Sequence, residues 1–111
     1  MAINKVASGS VYEYSKNMDE AWPASSELTV ALLRVLSRLG GAANVAELDR
    51  EIIKEVKLSD SQLQVKRSGN RTEIQYRLAW IRTKAKQNGL VVKEENRVWR
   101  LTEKGLELIN N

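Results

Sequence analysis

At 111 residues and 42% hydrophobic content, the chain is long enough for one domain with a single modest core and too short for two. It contains no cysteine and no histidine, which removes disulfides, thiolate nucleophiles, the usual neutral-pH base and the commonest metal ligand, so neither a metal nor a cofactor is expected. The formal charge of +4 is unevenly spread: residues 66–100 carry ten Lys/Arg against three acids, about +7, and the rest carries eight against eleven, −3.

Residues 1–24 have no sustained period and scatter Val11, Tyr12, Tyr14 and Trp22 among small and polar residues. They read as an amino-terminal arm, either flexible or ordered against the domain or a second copy. The first ten residues lack an apolar stretch of signal-peptide length, and the longest apolar runs, such as residues 30–33, are far too short for a bilayer. A cytoplasmic protein with no membrane partner is expected.

Residues 25–111 read as one domain. Ser25 or Ser26 can cap a first helix whose Leu28, Leu32, Val35, Leu36 and Leu39 share a face, and Gly40-Gly41 stops it. Asn44 followed by Glu47 has capping-box spacing and opens a second helix with Val45, Leu48, Ile52, Ile53 and Val56 at helical intervals. Ser59 with Gln62 repeats that spacing and predicts one short helical turn before a polar, basic connection at residues 66–71.

The third helix begins at Asn70 or Thr72, by capping-box spacing to Glu73 or Gln75, and stops at Gly89. At 100° per residue, Ile74, Leu78, Ile81 and Ala85 face the core. Thr72, Tyr76, Ala79 and Thr83 lie opposite, flanked by Gln75 and Lys86 on one side and Arg77, Trp80 and Lys84 on the other. After Gly89 the pattern changes to two β-type runs around Glu94-Glu95-Asn96, a hairpin in which Trp99 and Leu101 share the inner face. Thr102 then caps a last short helix, in which Gly105 allows a close contact with the sheet. Trp80 is expected to pack beneath the wing, while Tyr76 points outward and either contacts phosphate or does not.

Three helices, a two-stranded wing and a closing helix make a mainly α protein with a small β-hairpin, a winged helix-turn-helix. In that architecture the third helix enters the DNA major groove and the wing follows the backbone. Arg77 suits guanine and Gln75 adenine, Thr72 and Thr83 can reach phosphate or a thymine methyl, and Lys86 lies beside them. Lys66, Arg67, Arg71, Lys93 and Arg97, on loop and wing positions, suit phosphate, with Tyr76 a further contact. Catalysis is not expected. Glu51 and Lys54 are one helical turn apart and read as a charge pair, Glu94-Glu95 reads as a turn, and no carboxylates converge with a neighbouring Lys.

The runs Arg77-Leu78-Ala79-Trp80-Ile81-Arg82-Thr83, Asn88-Gly89-Leu90 and Val98-Trp99-Arg100-Leu101-Thr102-Glu103-Lys104-Gly105 resemble the amino-terminal winged-helix domain of the Mrr family of restriction endonucleases, over residues 32–108. The resemblance implies a non-catalytic DNA-binding domain, which in those enzymes precedes a PD-(D/E)xK nuclease. No nuclease sequence follows here, so a small stand-alone protein or a portion of a longer one is expected, and neither cleavage nor a preference for methylated bases is carried over. The expected role is regulation of transcription or delivery of a separately encoded restriction or defence nuclease to double-stranded DNA, with a homodimer as an open assembly. The rival reading is a protein–protein interaction module using the same surface or the arm. RNA binding is a weaker third, because the basic face lacks an evident aromatic platform.

Overall fold

A computed structural model describes residues 21–110, so most of the expected arm, residues 1–20, lies outside the described residues. Residues 21–24 run without regular structure into helix α1, Ser25–Arg38. Helix α1 is the centre of the core, with Leu28, Ala31, Leu32, Leu33, Val35 and Leu36 all buried, and it packs against the later helices and the sheet. Its cap differs from expectation. Ala24 is the N-cap, without a side-chain bond, and neither Ser25 nor Ser26 takes that role. The helix ends where Gly40, at φ +94, turns the chain and Gly41 N–H donates back to the Leu36 carbonyl at 2.7 Å, a left-handed stop that glycine adopts without a Cβ clash.

A short strand that the sequence pattern did not predict, β1 (Ala42–Asn44), comes next, and Asn44 both ends it and caps helix α2 (Val45–Val56) by accepting from Glu47 N–H at 2.9 Å. Helix α2 buries Leu48 and Ile52 against α1. The short helix α3 (Asp60–Gln64) has the complete capping box expected of Ser59 and Gln62. The basic connection is ordered as well: residues 66–72 fold back as a small antiparallel hairpin, β2 (Lys66–Ser68) and β3 (Arg71–Thr72), instead of a loop.

Helix α4 (Glu73–Gln87) starts at Thr72, one of the two expected caps, through a capping box with Gln75. It buries Ile74, Leu78, Ile81 and Ala85, and also Arg82. Strands β4 (Val91–Glu94) and β5 (Val98–Leu101) form the wing around a single 3₁₀ turn, Glu95–Arg97. With β1 alongside β5, the expected two-stranded wing is a three-stranded antiparallel sheet in the order β1-β5-β4. In register, Val91 faces Leu101 and Lys93 faces Trp99, so these four share the face turned toward the helices. Trp99 is 6% exposed, as expected of a core residue, and its indole N–H is buried without a hydrogen-bond partner. Helix α5 (Glu103–Asn110) closes the domain. Its Gly105 lies so close to the connection between α4 and β4 that a Cβ there would stand 2.3 Å from the Leu90 carbonyl oxygen. The whole is a mainly α winged helix-turn-helix, with α4 as the third of its longer helices.

Candidate nucleic-acid interface

The outward side of α4 is set by its core stripe. Burying Ile74, Leu78, Ile81, Arg82 and Ala85 turns Tyr76, Ala79, Trp80 and Thr83 away from the core, because at 100° per residue they lie between about a third and a half of a turn from the middle of that stripe, Ala79 the least far. Trp80 corrects the sequence reading. It does not pack beneath the wing; it is 52% exposed and is the largest apolar side chain on this face. The face is therefore bulkier than the sequence suggested.

The side chains around it divide into paired and unpaired cations. Glu73 lies at the start of α4 and takes two arginines, Arg67 at 3.3 Å and Arg77 at 2.7 Å. Arg77 is further held over the Trp22 ring, 4.5 Å from its centroid, which commits its guanidinium to the flank of the helix rather than to its outward face. Arg67 also stacks on Tyr76 at 3.9 Å, with Arg71 at 5.7 Å from the same ring. On the outer face of the wing Arg100 grips Glu94 with Nε and Nη2, at 2.7 and 3.2 Å, and these bonds hold the Glu94 carboxyl below its ordinary pKa. Arg82 pairs with Asp49. Four of the ten cations in residues 66–100 are thus in ion pairs. The other six, Lys66, Arg71, Lys84, Lys86, Lys93 and Arg97, have no carboxylate partner among the described residues.

Those six come from three elements around α4. Lys66 and Arg71 are on the β2–β3 hairpin at its start, Lys84 and Lys86 on the helix itself, and Lys93 and Arg97 on the wing. Lys93 lies on the helix-facing side of the wing, 5.9 Å from the Trp99 ring centroid. Arg97 stands at the wing tip, next to Asn96, both with left-handed backbone at φ 61 and 62. The expected polar readers are partly occupied by structural bonds. The Gln75 carbonyl accepts from Thr72 N–H at 2.9 Å, the Thr72 hydroxyl accepts from Gln75 N–H at 3.3 Å, and the Thr83 hydroxyl donates to the Ala79 carbonyl at 3.0 Å. Among the described residues the Gln75 amide NH2 and the Lys86 ammonium keep their donors free.

Between α2, the start of α4 and the wing tip runs an open groove of about 740 Å³, lined by Asn44, Val45, Asp49, Ile53, Gln75 and Arg97 among others. Asp49 on its wall pairs with Arg82, their side chains 15% and 10% exposed, and the Arg82 guanidinium lies 5.9 Å from the Trp99 ring centroid. Burial pushes the Asp49 carboxyl above its ordinary pKa, against the pull of Arg82. The same burial lowers that of Arg82. This pair was not singled out in sequence and joins three elements, α2, α4 and the wing. Elsewhere Glu51 is bridged by Lys54 at 3.3 Å, the i,i+3 pair expected, and by Arg38 at 3.5 Å.

The family model of the Mrr N-terminal domain matches residues 26–111, and with them the helices, the wing and all the site residues above except Trp22. The chain belongs to the Mrr N-terminal domain family. No match is found among curated proteins or solved structures. The expected Mrr-type motif residues have distinct places in this Mrr N-terminal domain: Trp80 exposed on α4, Arg82 buried behind it, and Trp99 and Gly105 closing the sheet against the helices. Among the described residues no helix is long and apolar enough to cross a membrane.

Proposed function

We propose that this Mrr N-terminal domain binds double-stranded DNA, with the outward face of α4 in the major groove and the wing and the β2–β3 hairpin on the backbone to either side. Its role would be regulatory, or the targeting of a separately encoded restriction or defence nuclease. The observation that carries the reading is the distribution of the six unpaired cations over three elements around one exposed helix face. Such a set can follow a phosphate backbone and release its counterions together. Family membership supports the same reading. Gln75 and Lys86 are assigned to base edges, Lys66, Arg71, Lys93 and Arg97 to phosphates, and Arg67 and Arg77 to holding Glu73, Tyr76 and Trp22 in place.

We read the domain as non-enzymatic. Glu51, Glu73, Glu94 and Asp49 each already hold a cation, and the sequence offers no His or Cys to bind a metal in their stead. The test is fluorescence anisotropy on a labelled duplex from low to moderate salt, with a plasmid incubated alongside in Mg²⁺ or Mn²⁺. About four to six phosphate contacts give a log–log salt slope near −4 to −5. Absence of binding even at low salt would transfer the surface to an acidic protein partner, and metal-dependent nicking that tracks with a Glu51 substitution would refute the non-enzymatic reading.

A further inference from the structure

Trp80 is unexplained by a phosphate-following surface. An indole 52% exposed on the outward side of a recognition helix costs hydration and gives no salt-dependent attraction. Beside it is a notch of about 240 Å³ lined by Arg71, Tyr76, Ala79, Trp80 and Thr83. Tyr76 and Trp80 are one helical turn apart, so their rings rise side by side from α4, and Ala79, with only a methyl group, leaves the floor between them low. The Tyr76 ring is braced by Arg67 stacked on it at 3.9 Å, and Arg67 is itself anchored on Glu73 at 3.3 Å. The walls are thus aromatic, and at least one is fixed.

The chemistry of the rim selects the occupant. No carboxylate lines the notch, and the nearest one in sequence, Glu73, is neutralised by two arginines. Arg71 lines the notch, and Lys84 stands one turn beyond Trp80 on the same helix. A cation-binding aromatic cage requires the opposite sign, so ammonium and methylated lysine ligands are disfavoured. A volume below the ~300–1,000 Å³ of ordinary small-molecule pockets suits one planar ring. A flat π system attached to a negative charge fits both the aromatic walls and the cationic rim.

We infer that the Tyr76–Trp80 notch takes one unpaired nucleobase of the bound DNA, with Arg71 on the adjoining phosphate. The inference rests on the DNA-binding reading and assigns Trp80 a task beyond it: recognition of a base displaced from the stack. Base–aromatic stacking contributes enough to raise affinity by about 5- to 140-fold.

The test compares a fully paired duplex with the same duplex carrying a single-nucleotide bulge, by anisotropy, for wild type, Trp80→Ala, Trp80→Phe and Lys93→Ala. Wild type is expected to favour the bulge by about 5-fold or more. Trp80→Ala should bring the ratio of affinities close to 1, Trp80→Phe should retain part of it, and Lys93→Ala should weaken both duplexes while keeping the ratio. Equal wild-type affinity for the two duplexes overturns the inference, as does an undiminished ratio in Trp80→Ala. Failure of wild type to bind either duplex overturns the DNA-binding reading itself, a separate outcome.

Discussion

Arg82 is the residue whose loss should be felt most widely, because its guanidinium joins α4 to α2 through Asp49 and lies against Trp99 of the wing. Arg82→Met keeps most of the side-chain volume and leaves Asp49 as an unpaired, largely buried carboxylate. Breaking one side of a buried pair costs about 3–5 kcal/mol. The Asp49 side chain is 15% exposed and lines an open groove, so water can hydrate it in part and the lower end, about 3 kcal/mol, is expected. For a domain of this size that is a fall in Tm of roughly 12–24 °C, readable by circular dichroism. The double variant Asp49→Leu/Arg82→Met removes both charges and should recover most of the loss. The pH dependence has a definite sign. Burial already raises the Asp49 pKa in the folded state, and without Arg82 it rises further, so the folded variant takes up a proton at a higher pH than its unfolded chain does. The deficit of Arg82→Met relative to wild type is therefore largest at neutral pH and shrinks as pH falls through that raised pKa. A loss below about 1 kcal/mol, or a double variant as unstable as the single one, would refute the view that charge pairing rather than packing holds this junction.

Helix α4 was legible in sequence because three signals agree on it: the apolar period of Ile74, Leu78, Ile81 and Ala85, the Thr72–Gln75 cap and the glycine stop. Strand β1 was not. Ala-Ala-Asn has no alternation and little β propensity, and it is a strand only because β5 pairs with it. The β2–β3 hairpin is likewise too short and too polar to carry a period. Two site features could have been read and were not. Glu73 stands four residues before Arg77, the spacing of a helical ion pair, and it is this pairing that draws Arg77 away from the outward face. Trp80 lies about 40° round the helix from Tyr76, on the side away from the core stripe, and its size argued for burial where its angle argued for exposure. The Arg82–Asp49 pair is different, since the α2–α4 packing that joins residues 33 positions apart leaves no trace in local pattern.

Four further substitutions separate the parts of the surface and fold. Gly105→Ala should destabilise by about 1–3 kcal/mol or more in thermal or urea melts, since its Cβ would meet the Leu90 carbonyl oxygen at 2.3 Å. Ala79→Leu should leave Tm nearly unchanged and weaken DNA binding by steric contact; a large drop in Tm would mean that Ala79 faces the core. Arg77→Ala should weaken preferred and random duplexes alike, whereas a loss confined to the preferred site would restore Arg77 as a base reader. Arg97→Gly should move stability and binding in opposite directions. Arg97 holds a left-handed φ of 61 at the wing tip, which costs an L-residue about 1–2 kcal/mol, while glycine accepts it at an entropic cost of about 0.5–1 kcal/mol. The variant should therefore be up to about 1 kcal/mol more stable. It also loses an exposed, unpaired cation, so its affinity for duplex DNA should fall and its log–log salt slope should flatten by about 1. A less stable Arg97→Gly would show that the tip is not strained, and an unchanged slope would remove Arg97 from the phosphate contacts.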